Sequence, residues 1–341
     1  MNRKLKCKLR ALKFSTWVLT GAAQLVYSFH KRFPDIQTIY NVRYAQSKNK
    51  YHTMNVYYHR KKAPWISRMS LKEQKACVRD LKAGNCVLSK KENTQKQHAL
   101  PMIVYFHGGG WACYDKNLYD SLCGRLCQMG FVVFNANYTL TPKAQVEEML
   151  ADAEMAIEKA RCLAPMWNAD PNRVVLMGDS AGAHLASLVA GRALCDGKKS
   201  ALKRCIKALG LFYGVYDLHT VKYSNFPNLE VYLEALLPSS TPNYHEKLEE
   251  YSPITYISAR YPPTFIASGE IDKLHETQSK VFAEELQGKG AMVETKFFPL
   301  KELRAVHAYM TFDGLGTNEE TIEALAKFFE KLKLINKKGK A

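Results

Sequence analysis

From Pro101 onward the sequence repeats one unit: an apolar run of strand length, a break carrying Gly or Pro, an amphipathic stretch of helical length, then another apolar run. This alternation restricts the chain to an α/β fold with a mostly parallel sheet. The runs predict strands over Met102–His107, Phe131–Asn135, Arg173–Met177, Ala208–Tyr213, Thr264–Ser268 and Met292–Phe298. Most are too uniformly apolar to leave a face in water, so helices are expected on both faces of the sheet. The 3.6-residue periodicity predicts helices over Gln145–Cys162, Ala181–Leu194, Glu276–Gln287 and Asn318–Leu334, with Asn318 as a cap for the last. Ahead of this core, Thr38–Tyr44 and Thr53–Tyr58 alternate like an antiparallel hairpin. Residues 63–100 are polar and Lys-rich with one helix expected over Leu71–Leu81, and 219–251 breaks the rhythm at Pro227, Pro238 and Pro242, as a lid would. The expected organisation is a basic segment over 1–50, one α/β body over 51–335 with insertions at 63–100 and 219–251, and a basic tail over 336–341.

The net charge of +17 suggests nucleic acid until its distribution is examined. Residues 1–62 hold 14 Lys and Arg against one acid, Asp35; the rest of the chain holds 35 against 31. A body so nearly balanced offers no basic stripe with interleaved aromatics, and nucleic acid is not an expected partner. The charged start is followed by Phe14–Phe29, sixteen uncharged residues whose Phe14, Trp17, Val18, Leu25, Val26 and Phe29 fall at helical spacing. An amphipathic cap or surface helix is favoured over a membrane-interface helix and over a signal cleaved near Gly21-Ala22-Ala23; the stretch is shorter than a bilayer span. The basic N-terminus leaves room for weak membrane-surface association. Nine cysteines without paired CxxC spacing indicate neither a zinc site nor a disulfide framework, and reduced thiols in a cytoplasmic protein are expected. A secreted or membrane-associated form through residues 1–29 is the alternative.

Two motifs carry chemistry. Gly178-Asp179-Ser180-Ala181-Gly182 follows one expected strand and opens a helix, the context in which G-x-S-x-G forms a sharp elbow and projects Ser180 above the sheet. His107-Gly108-Gly109-Gly110-Trp111 follows another strand, and three successive glycines there cost entropy without packing in return. Bare backbone N–H groups at that place suit an oxyanion hole. A serine needs a base and an orienting carboxylate, in the chain order serine, acid, histidine. Of the histidines downstream of Ser180, only His307 lies in a loop between the last strand and the last helix, whereas His184 falls within the elbow helix and His275 stands too near the acid candidates. Asp272 is preferred as the acid, with Glu270 as the second candidate. Trp111 and Tyr138 are read evenly as pocket lining or as core.

Together these motifs resemble the α/β-hydrolase fold, and within it the hormone-sensitive-lipase-like esterases, over roughly residues 50–335. Asn137-Tyr138-Thr139-Leu140-Thr141-Pro142 resembles that family's Y-R-L-x-P, and Asp272-Lys273-Leu274 its acid motif. The resemblance implies Ser180 as nucleophile, His307 as base, Asp272 as acid, the amides of Gly109, Gly110 and Ala181 as oxyanion hole, and His107, Gly108 and Asp179 as supporting residues. It implies no metal and no organic cofactor, and as partner a small-molecule ester. Two departures stand out: Thr139 replaces the usual Arg, and His307-Ala308-Tyr309 stands where H-G-F is usual. The expected activity is that of a serine carboxylesterase on short-to-medium acyl esters. A carbohydrate acetyl or feruloyl esterase, suggested by Gln278-Ser279, and a non-catalytic binding protein on the same fold are the alternatives.

Overall fold

A computed structural model describes residues 5–13, 33–62, 69–85, 99–195, 201–312 and 315–336. Eight strands form one sheet: β1 (Ile36–Arg43), β2 (Thr53–His59), β3 (Leu100–Phe106), β4 (Val132–Ala136), β5 (Ala169–Asp179), β6 (Ile206–Phe212), β7 (Thr264–Gly269) and β8 (Val293–Phe298). Their spatial order is β1-β2-β4-β3-β5-β6-β7-β8. β1 and β2 pair antiparallel, β2 joins β4 antiparallel, and every later neighbour is parallel.

The apolar runs behave as their composition demands. Successive side chains of a strand point to opposite faces, so Met102, Val104, Phe106, Val174 and Leu176 enter one core while Ile103, Tyr105, Val175 and Met177 enter the other. The first face is covered by the helices Val146–Leu163 and Ala181–Cys195, the second by Asp120–Gln128 and Gly316–Lys331. Every residue of β4 and β7 is buried, as expected of strands sandwiched between helices.

Three local expectations are adjusted. The last helix begins at Gly316, and Asn318 lies buried inside its first turn. There its carbonyl oxygen accepts from the Arg125 guanidinium and its amide donates to Met310 O, so the side chain braces two segments and does not cap. The stretch expected as a helix over Glu276–Gln287 starts as a π-turn, His275–Lys280, before the α-helix Val281–Gly288. Within 63–100, the helix Leu71–Ala83 is opened by a Ser70–Glu73 capping box and buries Cys77 and Leu81 in the core.

Residues 5–13 are helical, bury Leu9, and end at Lys13, whose ammonium donates to Thr141 O (2.7 Å). The stretch Phe14–Phe29, with its cap, interface and signal readings, lies outside the described residues. No helix among the described residues is long and apolar enough to cross a membrane.

Candidate active site

The site lies at the C-terminal ends of β3, β5, β7 and β8, where the strands hand over to loops. At the end of β5 the chain turns within one residue into the helix Ala181–Cys195. Ser180 takes φ 49°, a conformation that costs an L-residue energy, and its amide donates to Phe212 O (2.9 Å). The flanking glycines permit the turn: a Cβ on Gly178 would strike the Gly182 backbone, and one on Gly182 would strike Phe106 O.

Facing Ser180 is His307. The serine hydroxyl stands 3.0 Å from Nε2 and donates to it, while the Nδ1 proton is donated to Asp272 Oδ2 at 2.8 Å. Asp272 is buried, and its other oxygen accepts from the Leu274 amide (3.0 Å). Burial pulls the imidazole of His307 down, but the charge and hydrogen bond of Asp272 outweigh it, so the net shift is upward from 6.5. The loop bearing His307 comes so close to β7 that a Cβ on Gly269 would strike Ala305 O. Glu270 points elsewhere: its carboxylate accepts from the Leu300 amide (2.9 Å). His275 is engaged by Ser268 Oγ at 2.7 Å and by the Phe297 ring, while the partner at Ser180 is His307.

The glycine loop after β3 is held from below. The Gly108 amide donates to Asp179 Oδ1 (2.9 Å), which also accepts from the Tyr105 hydroxyl, and Tyr119 donates to Asp179 Oδ2 (3.0 Å). Burial pushes the Asp179 carboxyl up to about 6, against those same hydroxyls. Gly109 and Gly110 take φ 108° and 56°, and a Cβ on Gly110 would enter the Tyr232 ring. Among the described residues the amides of Gly109 and Gly110 have no protein acceptor, and the Ala181 amide is the first of the elbow helix, where donors lack intrahelical partners. Three donors therefore remain for an anionic oxygen next to Ser180.

Trp111 and Tyr138 prove to be core. The Trp111 indole donates to His184 Nδ1 (3.2 Å), and His184 Nε2 donates to Tyr251 O (2.8 Å). The Tyr138 hydroxyl donates to His107 O, and its ring stacks on that histidine at 4.6 Å. Burial lowers both His107 and His184 to about 4, so each is a neutral structural group. The departure at Thr139 is compensated locally: its amide and hydroxyl both donate to Asp152 Oδ2, and His52 Nε2 meets Asp152 Oδ1 at 2.9 Å.

Four aromatics at the site carry no local sequence signal. Tyr119 is brought under Asp179 by the turn Lys116–Tyr119. Tyr213 (5.0 Å) and Phe226 (4.8 Å) both present T-shaped contacts to the His307 ring. Tyr232 reaches Gly110 from the helix Leu229–Leu236. The last two belong to the stretch with irregular, Pro-broken periodicity, where only tertiary packing decides which residues point inward.

A parallel sheet with a serine on an elbow, a histidine after its last strand and a glycine loop beside them defines the α/β-hydrolase class. The family model described as BD-FAE matches residues 89–286, more than half of the chain, and the chain belongs to that hormone-sensitive-lipase-like family. Among sequence relatives it is 30% identical over 200 residues to Esterase LipQ of Mycobacterium tuberculosis, covering 56% of this chain and 47% of that protein. It is 27% identical over 208 residues to isoprenylcysteine alpha-carbonyl methylesterase ICME of Arabidopsis thaliana, covering 57% and 48%. The chain thus spans about half the length of the curated relatives it matches. In fold it is similar to the inhibited esterase B from Lactobacillus rhamnosis, at a TM-score of 0.73 with 19% identity and 97% of both chains covered.

Proposed function

We propose that this protein is a serine ester hydrolase working through an acyl-enzyme, with residues 51–335 as its catalytic body and β1 (Ile36–Arg43), from the segment expected ahead of it, completing the same sheet. The observation that carries the reading is the line from Asp272 through His307 to Ser180 Oγ, at 2.8 and 3.0 Å, beside unengaged loop amides. In the first step the Ser180 hydroxyl attacks the ester carbonyl carbon as its proton passes to His307 Nε2. The tetrahedral oxyanion is received by the amides of Gly109, Gly110 and Ala181, and Asp272 holds the imidazolium in place without taking its proton. His307 then protonates the departing alcohol as the tetrahedral centre collapses to the acyl-serine. Water, deprotonated by the same imidazole, repeats the addition and releases the acid. None of these proton transfers calls for a group beyond the chain's own residues.

Short-to-medium acyl groups are the proposed substrates, since Tyr232 stands against Gly110 and Phe226 against His307, narrowing the approach to the serine. The esterase names of the sequence relatives support the reaction class. Rates on p-nitrophenyl acetate, butyrate, octanoate and palmitate, with Ser180→Ala alongside, test it. Activity greatest at the shorter esters and absent from Ser180→Ala is expected; equal, negligible rates for both proteins would overturn it.

A further inference from the structure

The stretch after β6 brings two aromatic rings to two different parts of the catalytic machinery. Phe226 meets the His307 ring at 4.8 Å, and Tyr232 stands so close to Gly110 that a Cβ there would lie 2.6 Å from its Cε1. Both placements are fixed by the chain around them. The start of the stretch is pinned to the turn that follows Asp272: buried Gln278 accepts from the Tyr216 and Asp217 amides (2.8 and 2.9 Å) and donates to Thr220 Oγ1 (3.3 Å). Gln278, whose place in the sequence suggested a carbohydrate esterase, is thus spent on a brace. Asn225 (φ 55°) and Asn228 (φ 57°) turn the chain on either side of Phe226, and the Phe226 amide donates to Ser224 Oγ (3.2 Å). Tyr232 lies on the buried face of its helix with Leu229, Ala235 and Leu236.

Acyl transfer gives the two positions different meanings. In the tetrahedral intermediate the central carbon carries Ser180 Oγ, the oxyanion, the alcohol oxygen and the acyl chain. His307 Nε2 must protonate the alcohol oxygen, so the alcohol lies on the imidazole's side, where Phe226 stands. The oxyanion turns to the loop amides, and the acyl chain leaves the carbon away from the imidazole. Exposure differs between the two places. The His307 side chain is 23% exposed and Phe226 is half-buried, whereas Tyr232 is 8% exposed and Ser180 9%.

We propose that these two rings sort the two halves of the ester: Phe226 receives the leaving alcohol and favours an apolar one, and Tyr232 bounds the acyl group beside Gly110. The substrate class that follows is an ester of a small acid with a larger apolar alcohol. Bulk on the alcohol meets a half-buried ring reached from solvent; bulk on the acid meets a packed one. The inference rests on the ester-hydrolase reading above and assigns its specificity to two named residues.

Ratios of kcat/KM in the full chain test it, because a variant that folds poorly lowers both members of a ratio alike. Benzyl against methyl butyrate changes the alcohol at a fixed acyl group and closely matched leaving ability. p-Nitrophenyl octanoate against acetate changes the acyl group at a fixed alcohol. The parent should favour benzyl over methyl butyrate. Phe226→Ala is expected to cut the benzyl-to-methyl ratio at least about tenfold and to leave the octanoate-to-acetate ratio unmoved. Tyr232→Ala should raise the octanoate-to-acetate ratio at least about tenfold and leave the benzyl-to-methyl ratio unmoved. A parent that favours the methyl ester, a variant whose own ratio does not shift, or variants that move both ratios together overturn the division. A parent inert on all four esters overturns the ester-hydrolase reading and this inference with it, whereas turnover with the wrong ratios overturns this inference alone.

Discussion

Among the described residues stand two lines of serine, histidine and aspartate, and they are built to opposite ends. In one, Ser180 Oγ meets His307 Nε2 and His307 Nδ1 meets Asp272. In the other, Ser47 Oγ meets His52 Nδ1 at 2.6 Å and His52 Nε2 meets Asp152 at 2.9 Å. The second ring is turned over, so its serine lies on the crowded nitrogen next to Cβ. Ser47 already accepts from the Asn49 amide, sits in a surface loop between β1 and β2, and opens no helix. Asp152 is committed to the Thr139 amide and hydroxyl, on the segment whose Tyr138 and Thr141 bind His107 O and Trp111 O. One line thus holds a proton path beside free amide donors; the other is a brace under the loop that supports those donors. The three residue types alone do not make a site. Backbone donors and ring orientation do.

The largest expected effect breaks the comparison at the serines. Ser180→Ala should lower turnover by about 10⁶, the loss found when a hydrolase nucleophile is removed, whereas Ser47→Ala should stay within about twofold. Steady-state rates on p-nitrophenyl butyrate check both, and a large loss in Ser47→Ala would mean that the second line takes part in turnover. At the acids the effects should differ in kind. Asp272→Asn is expected to cost about 10⁴ in kcat by holding His307 in the wrong tautomer, with little change in thermal midpoint. Asp152→Ala should instead cost about 2–3 kcal/mol in urea unfolding, because a buried charged acceptor of several hydrogen bonds is lost, and should change kcat far less.

Acid sharpens the contrast between histidines. His307 must be neutral to accept the serine proton, and its shift is upward. kcat/KM should therefore fall with unit slope as pH drops through a value above 6.5, reversibly. His107 and His184 are buried neutral and lowered to about 4. Their folded values lie below the unfolded one, so the stability they contribute is present above 6.5 and lost as pH falls towards 4, about 3 kcal/mol each. Asp179 runs the other way: raised to about 6, it contributes stability below 3.8 that is lost as pH rises through 6, roughly offsetting one histidine. A net loss of about 3–4 kcal/mol between pH 6.5 and 4 is the outcome to look for in chemical unfolding. Inactivation that tracks unfolding at every pH would contradict the separate titration of His307.

Much of this architecture was legible in the sequence because it is enforced locally. Uniform apolar runs between Gly or Pro breaks have one solution, the sandwiched parallel strand, and both glycine motifs sit where side chains would collide with backbone. The elbow motif marked Ser180, and chain order with loop position marked His307, while Glu270 stayed a rival to Asp272 until the His307 contact was seen. What resisted reading was set by contacts across the chain. Asn318 looks like a cap until Arg125, 193 residues away, takes its side chain inward. Trp111 and Tyr138 could not be assigned until His184 and His107 were placed against them. The compensation of Thr139 by His52 joins residues from a hairpin loop, a later loop and a helix, and no spacing announces it.

The smallest effect concerns the residue after the base. Ala308 takes φ 69° where the resembled family has glycine, and an L-residue in the left-handed region pays about 1 kcal/mol or more. Glycine would remove that strain but lose more freedom on folding, about 0.5–1 kcal/mol. The two terms nearly cancel, so Ala308→Gly should stabilise by no more than about 1 kcal/mol. Activity decides whether the alanine matters beyond this. The turn at Ala308 carries His307 on one side and buried Tyr309, bonded to Thr321, on the other. With both anchors intact the imidazole should keep its place, and kcat should stay within about twofold while the thermal midpoint rises slightly. A lower midpoint in Ala308→Gly would show that the alanine side chain packs well enough to repay its backbone, and the loop carrying the base would then be stiffened by the residue that departs from the family pattern.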